Sequence, residues 1–253
     1  MFLKRIGIAI IAVFLFAGCS DDEDVFDGDW SGAYTNSSGG NRTLYTDTYG
    51  YKIGYELWAA ASSNYRLKWY GEDERGGSAF KFAWKNSSNA IGRLGWFWDE
   101  GKSYTNYGDL KCDYAFTKTG NGGDFSYIGI YGWSKNPLKE YYIVEDRFGG
   151  QLGTPYGCSY KGEFTVDGAV YKIYVGTRNN QPSITGNATF PQIFSVRQGA
   201  RQSGTISITE HFKKWEELGI GLGSNMYEAK FKVEVGGGTG QFDASLIKFY
   251  KPE

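Results

Sequence analysis

The chain of 253 residues carries 27 Lys and Arg against 28 Asp and Glu, a formal net charge of −1, so neither nucleic acid nor an anionic membrane face is indicated as its partner and a neutral ligand fits better. Its 17 Phe, 20 Tyr and 8 Trp stand beside 37 Gly and only 5 Pro. Aromatic rings with a polar tip suit grooves that hold sugars, whose C–H faces stack while their hydroxyls hydrogen-bond, although most of these rings are expected simply as strand residues.

The N-terminus reads Lys4-Arg5, an apolar run from Ile6 to Phe16, then Ala17-Gly18-Cys19. That is the charged, apolar, small-residue order of a secretory signal, and the run is too short for the roughly 20 residues that span a bilayer. Ending on Ala-Gly-Cys, it resembles a bacterial lipoprotein signal, which implies lipidation of Cys19; Phe16 stands where such signals usually carry Leu. An ordinary signal peptide cleaved nearby is the alternative. The run Ser20-Asp21-Asp22-Glu23-Asp24 is expected as a solvated tether, and it resembles the acidic tag that directs some lipoproteins to the cell surface. The expected organisation is therefore a signal over residues 1–18, an acidic tether over 19–28 and one β domain over 29–253, since all-β domains reach about 200 to 250 residues without splitting. The chain is expected to be exported and held at the outer membrane by a lipid anchor; the acidic tag points to display on the cell surface, and whether the anchor faces the periplasm or the surface is open.

From about Trp30 onward, short alternating runs are broken by Gly, Asn, Ser and Asp, the pattern of antiparallel strands and turns. Whether residues 29–49 add an edge strand is open. Tyr127 to Trp133 directs Tyr127, Tyr131 and Trp133 to one face and Ile128 and Ile130 to the other. Glu140 to Val144 puts Glu140 and Tyr142 on one face, opposite Tyr141 and Ile143. Further strands are expected at Ala169 to Val175, Gly204 to Ile208 and Tyr227 to Val235. In the last, Phe231, Val233 and Val235 form the buried face and Lys230, Lys232 and Glu234 a polar one. Thr209 to Leu218 alone has helical spacing, with Phe212 and Trp215 three apart, Thr209 as cap and Gly219 as stop. The residues alone thus predict an all-β sandwich with a single helix packed on it.

Cys112 and Cys158 remain once Cys19 is set aside; in an oxidising compartment they form either a disulfide or two free thiols, and their spacing does not choose. His211, the only histidine, cannot build a His-based metal site, so no metal or cofactor is expected.

Two glutamates stand out only by resemblance. The run Tyr131-Gly132-Trp133-Ser134-Lys135-Asn136-Pro137-Leu138-Lys139-Glu140-Tyr141-Tyr142-Ile143-Val144-Glu145 resembles the nucleophile motif of glycoside hydrolase family 11 endo-xylanases. Tyr174-Val175-Gly176-Thr177-Arg178-Asn179-Asn180-Gln181-Pro182-Ser183-Ile184-Thr185-Gly186 resembles that family's thumb, the hairpin over the cleft. The likeness continues through Phe194-Ser195-Val196-Arg197-Gln198, the helix and Leu222 to Glu228, and counting on without a gap reaches Glu234. It implies a β-jelly roll of two curled antiparallel sheets with one α-helix, shaped like a partly closed hand around xylan, acting as a monomer. It also implies a retaining mechanism, with Glu140 as nucleophile and Glu234 as acid/base, their carboxyl groups about 5 to 5.5 Å apart.

By the same resemblance Tyr131 and Tyr142 line the site, Arg178 and Gln192 lie near the nucleophile and Trp58 stacks a sugar on the non-reducing side. Pro182, Ser183 and Ile184 form the thumb tip, and Asn89 sits beside the acid/base, which goes with activity near neutral pH. Three departures fall around Glu234 and the thumb: Val235-Gly236-Gly237 replaces Gly-Tyr-Gln, Lys232 replaces a small residue, and Ile193 and Phe194 replace larger aromatics. An ammonium on the face of Glu234 favours the ionised carboxylate, the wrong direction for a general acid. A xylan-binding protein without activity on the same scaffold is the alternative reading.

Overall fold

The computed structural model describes residues 24–35, 42–60, 64–73, 75–85, 88–98, 100–150 and 152–253; Cys19 and the apolar run before it lie outside the described residues. Alternation of side chains carries most of the chain into strands. In order these are β1 (Arg42–Thr46), β2 (Lys52–Ala59), β3 (Tyr65–Glu72), β4 (Ser78–Lys85), β5 (Ala90–Phe97), β6 (Lys111–Gly120), β7 (Ser126–Lys135), β8 (Lys139–Asp146), β9 (Ser159–Val166), β10 (Ala169–Ser183), β11 (Gly186–Arg197), β12 (Ser203–Ser207), β13 (Asn225–Val235) and β14 (Thr239–Tyr250). One α-helix, α1 (Ile208–Glu217), separates β12 from β13. The strands form a nine-stranded sheet, β1-β2-β5-β13-β7-β8-β11-β10-β9, and a five-stranded sheet, β12-β6-β14-β4-β3. This is the expected all-β jelly-roll architecture. Paired strands run antiparallel except β8 with β11, which run parallel and set Gln192 beside Glu140.

The period-two reading of β7, β8 and β13 sorts into two apolar layers. Ile128, Ile130, Tyr141, Ile143, Phe231, Val233 and Val235 face the main core between the sheets, against Phe80, Phe82 and Trp84 of β4. On the other face of the nine-stranded sheet a second cluster gathers Tyr131, Trp133, Tyr142, Tyr174, Phe190 and Phe194. Gly132, between Tyr131 and Trp133, leaves room for Tyr141 to send its hydroxyl to the Glu228 carbonyl, a 2.6 Å bond that any added Cβ would obstruct.

The open question at residues 29–49 resolves as β1, an edge strand paired with β2. The helix begins one residue earlier than expected, and Thr209 does not cap it. Its hydroxyl instead accepts from the Leu110 N–H at 2.8 Å and donates to the Gly108 carbonyl at 3.1 Å, tying the helix to a distant loop. The cysteines are free thiols: Cys112 is packed between the sheets, Cys158 lies against the second cluster, and a sheet separates the two layers.

The expected tether also changes. Residues 24–28 are not free: Asp24 pairs with Lys85 at 3.3 Å, the Val25 carbonyl accepts from Gln241 at 3.2 Å, and Arg66 lies over the Phe26 ring. Lys81 covers Trp30 in the same way, 3.9 Å from the ring centroid. Apolar and aromatic residues within the acidic segment give it something to bury, and cations on the outer face of the five-stranded sheet receive it.

His211 is fully buried on α1, edge-on to Tyr171 and Phe164, and neither ring nitrogen has a hydrogen-bond partner among the described residues. Burial, then the Arg201 charge, hold its pKa down at about 3 from 6.5. The ring is neutral in the fold, whereas the unfolded chain takes a proton below its own pKa. His211 therefore contributes its full stability above about pH 6.5 and loses it as pH falls towards 3, with a slope of about 1.4 kcal/mol per pH unit. Urea unfolding across this window should show a shallower acid dependence in His211→Leu; equal slopes would contradict the assignment.

Candidate active site

Glu140 stands at the start of β8 on the face of the nine-stranded sheet turned away from the main core, where the period-two rule aims it with Tyr142. Only 7 % of it is exposed. Tyr142 donates its hydroxyl to Glu140 Oε1 at 2.9 Å, and Gln192 donates Nε2 to Oε2 at 2.6 Å from the parallel neighbour β11. Tyr131 also favours the ionised carboxylate, while its hydroxyl accepts from Trp133 Nε1 at 2.5 Å. Burial pushes the Glu140 carboxyl above its ordinary range; Lys232 and the Gln192 bond pull the other way, and the charge of Glu234 adds to the rise.

Glu234 reaches the same face from β13, opposite Tyr127 on β7, and is 6 % exposed. Asn89 donates Nδ2 to its Oε1 at 3.3 Å. The Asn89 side-chain oxygen, Oδ1, is buried without a partner among the described residues. Burial, followed by the charge of Glu234, raises the Tyr127 hydroxyl to about 12, so it stays protonated.

Lys232 turns inward. Its Nζ lies 2.5 Å from Glu234 Oε2, and 4.1 and 3.9 Å from the ring centroids of Tyr131 and Tyr142. Only 1 % of the residue is exposed. Burial pulls the ammonium below its usual pKa, against the raising charges of Glu234 and then Glu140.

The face of β13 expected to be polar is not solvated. Glu228 and Lys230 are both fully buried on it, and with Glu56 of β2 and Arg93 of β5 they form a closed ladder. Arg93 contacts Glu56 at 2.6 Å and Glu228 at 3.0 Å; Lys230 contacts Glu228 at 2.9 Å and Glu56 at 3.5 Å. Two cations answer two carboxylates, which is what makes burial of four charges tolerable. Sequence spacing already put Lys230 on this face. That Glu56 and Arg93 would meet it depended on the pairing β2-β5-β13, which no local pattern specifies.

The remaining expected residues lie on β2 and on the β10–β11 hairpin. Trp58 lies partly exposed on β2, opposite Ile91 and on the side of Glu56. The β10–β11 hairpin carries Pro182, Ser183 and Ile184 at its tip, where Ile184 packs against the aromatic cluster under the hairpin and Ser183 accepts from the Thr185 N–H at 3.1 Å. Arg178 is exposed at the base of that hairpin, opposite Phe190; its charge is felt by Tyr127 and Cys158. Trp133 and Phe190 belong to the aromatic cluster beside these acids and Tyr127 packs on it; none was singled out from the sequence, although Trp133 and Tyr127 share a predicted face with Tyr131. Among the described residues no group of three or more His, Cys, Asp and Glu side chains could hold a metal ion.

Two acids, one clasped by hydroxyl and amide donors and the other by an amide and an ammonium, thus lie on one aromatic face of the nine-stranded sheet, each within reach of the other's charge. Such a pair can attack and protonate a glycosidic bond. The model of glycosyl hydrolases family 11 matches residues 50–245. A protein named endo-1,4-beta-xylanase C from Fibrobacter succinogenes is 43 % identical over 218 residues, 86 % of this chain; the chain spans 34 % of that relative's length. Endo-1,4-beta-xylanase A from Bacillus pumilus is 42 % identical over 207 residues, covering 79 % of this chain and 78 % of its own. The crystal structure of wild-type ENZbleach xylanase superposes with a TM-score of 0.81 at 49 % identity, over 87 % of each chain.

Proposed function

The chain belongs to glycosyl hydrolase family 11, and on that premise we propose that it is an endo-1,4-beta-xylanase that cleaves internal β-1,4 bonds of xylan with retention. The observation that carries this reading is Glu140 held by Tyr142 and Gln192 on the face it shares with Glu234, whose charge it feels. Glu140 attacks the anomeric carbon and forms a glycosyl-enzyme. Glu234 protonates the departing oxygen and then takes a proton from the incoming water. Tyr131 and Tyr142 orient the nucleophile, Trp58 stacks a sugar ring, and Pro182, Ser183 and Ile184 close over the chain from the thumb, with Arg178 at its base. No cofactor takes part.

The protein works as a monomer, exported and held at the outer membrane by lipid on Cys19, with its face to the cell exterior. The Lys4-to-Cys19 order supports the anchor. Labelling cells with a radioactive fatty acid tests it: wild-type protein takes up label, and a Cys19→Ala protein that takes it up equally overturns the anchor.

Activity is expected to peak near neutrality. Asn89 adds no negative charge beside Glu234, and burial raises the pH at which Glu140 ionises. A pH series of reducing-sugar release from soluble xylan checks this; an optimum well below pH 5 contradicts it. The Lys232 contact favours one second reading, a xylan-binding protein that does not cut. If wild-type protein binds xylan and releases no more sugar than Glu140→Gln, that second reading replaces the first.

A further inference from the structure

Lys232 is an ammonium buried where a glycosidase of this mechanism keeps its proton donor. Its ammonium lies over the rings of both Tyr131 and Tyr142, and its one ion-pair partner among the described residues is Glu234, 2.5 Å away. We infer that Lys232 and Glu234 work as a single acid/base unit, in which the proton destined for the leaving oxygen rests on Lys232 Nζ between turnovers and reaches the substrate through Glu234. The inference rests on the xylanase reading above and makes Lys232 a positioning residue that acts through Glu234.

The charges around the pair leave the proton no better home. On the neighbouring strands, β5 presents Arg93 and β7 presents Tyr127 and Tyr131. From β8 come Glu140 and Tyr142, and from β10 Arg178. The three tyrosines hold their protons, because burial and the nearby carboxylates raise them. Arg93 is committed to Glu56 and Glu228, and Lys230 to the same two. Glu140 must be ionised to attack. The one exchangeable proton left for catalysis therefore belongs to the Lys232–Glu234 contact. Both ends are buried, so the proton is sheltered from water.

The cycle balances. A proton leaves Lys232 Nζ for Glu234 Oε2, and the carboxyl turns about its terminal torsion, which is a broad two-fold rotor. The Oε2–H proton then passes to the glycosidic oxygen as the C1–O bond breaks and an electron pair of Glu140 makes the new bond to C1. This leaves neutral Lys232 and ionised Glu234. Water next attacks C1, the bond to Glu140 breaks and returns its electron pair, and the water proton passes through Glu234 to Lys232. The ammonium is restored.

Two substitutions separate storage of a proton from mere positive charge. Methionine fills much the same volume without charge, so in Lys232→Met the proton must stay on Glu234 itself. Arginine keeps the charge but does not give up a proton. The measurement is the pH profile of kcat/KM on xylan and on 2,4-dinitrophenyl xylobioside, whose phenolate departs without protonation, with circular dichroism to confirm folding. The expected result is that Lys232→Met still cleaves xylan, with its alkaline limb moved down by about two pH units towards the carboxylate range. Lys232→Arg is expected to lose about 10²-fold or more on xylan and at most a few-fold on the dinitrophenyl substrate. A folded Lys232→Met with the alkaline limb of the wild type, or a folded Lys232→Arg that cleaves xylan at the wild-type rate, overturns the proposal. Wild-type protein that turns over neither substrate overturns the enzyme reading, and this one with it.

Discussion

Glu140→Gln is expected to lower kcat on xylan by about 10⁴-fold or more, equivalent to about 5.5 kcal/mol of transition-state stabilisation. The substitution changes one atom. The amide oxygen still accepts from Tyr142, and the residue keeps its place between Tyr142 and Gln192 on two paired strands. What disappears is the electron pair that bonds to C1 and the negative charge that steadies the oxocarbenium-like transition state. Xylan affinity should therefore stay within a few-fold, and the urea midpoint close to wild type. Reducing-sugar release, affinity electrophoresis and urea unfolding check the three statements. A folded variant that keeps a tenth of the wild-type rate would remove Glu140 from the mechanism.

Glu234→Ala should behave differently, because it removes a proton carrier and leaves the nucleophile in place. On xylan, whose sugar alkoxide is a poor leaving group, the loss is expected at about 10²- to 10⁴-fold. On dinitrophenyl xylobioside the first step needs no proton, so the glycosyl-enzyme forms and accumulates, and its slow hydrolysis limits turnover. Azide then acts as a nucleophile that needs no base: it should restore turnover and yield a β-glycosyl azide, since attack comes from the face opposite Glu140. Absence of rescue, or an azide of α configuration, would assign the acid/base to another group. The alanine also strips Lys232 of its partner, so this variant should lose some stability as well; the burst and azide readouts are insensitive to that loss in protein that remains folded.

Much of the architecture was legible because strand alternation is a local property. Ile128, Ile130, Tyr141 and Ile143 on one side and Tyr131, Trp133 and Tyr142 on the other follow from counting by twos, and the two apolar layers obey it. The same counting gave the company of Glu234, with Lys232 and Lys230. It could not give their environment. A face with three charges in a row reads as solvated, yet here all three are buried, among neighbours on β5 and under the aromatic side chains of β7 and β8. The Glu56–Arg93 contact is likewise invisible in sequence, since the two residues are brought opposite each other by the β2–β5 register. Selecting two glutamates among 28 acids took the ordered motifs, not composition. The helix start slipped by one residue because Thr209 spends its hydroxyl on a loop about a hundred residues away, a tertiary demand that overrides local capping.

The docked segment at residues 24–30 has a consequence for how the molecule stands. It lies on the outer face of the five-stranded sheet, while the groove opens on the far face of the nine-stranded one, so the two are separated by both sheets and the core between them. Only five peptide units connect Cys19 to Asp24, a reach of at most about 18 Å. With lipid on Cys19 as proposed, the domain would ride low on the bilayer, its back turned to the lipid and its groove upward, the orientation in which a long polymer can slide through without threading between protein and membrane.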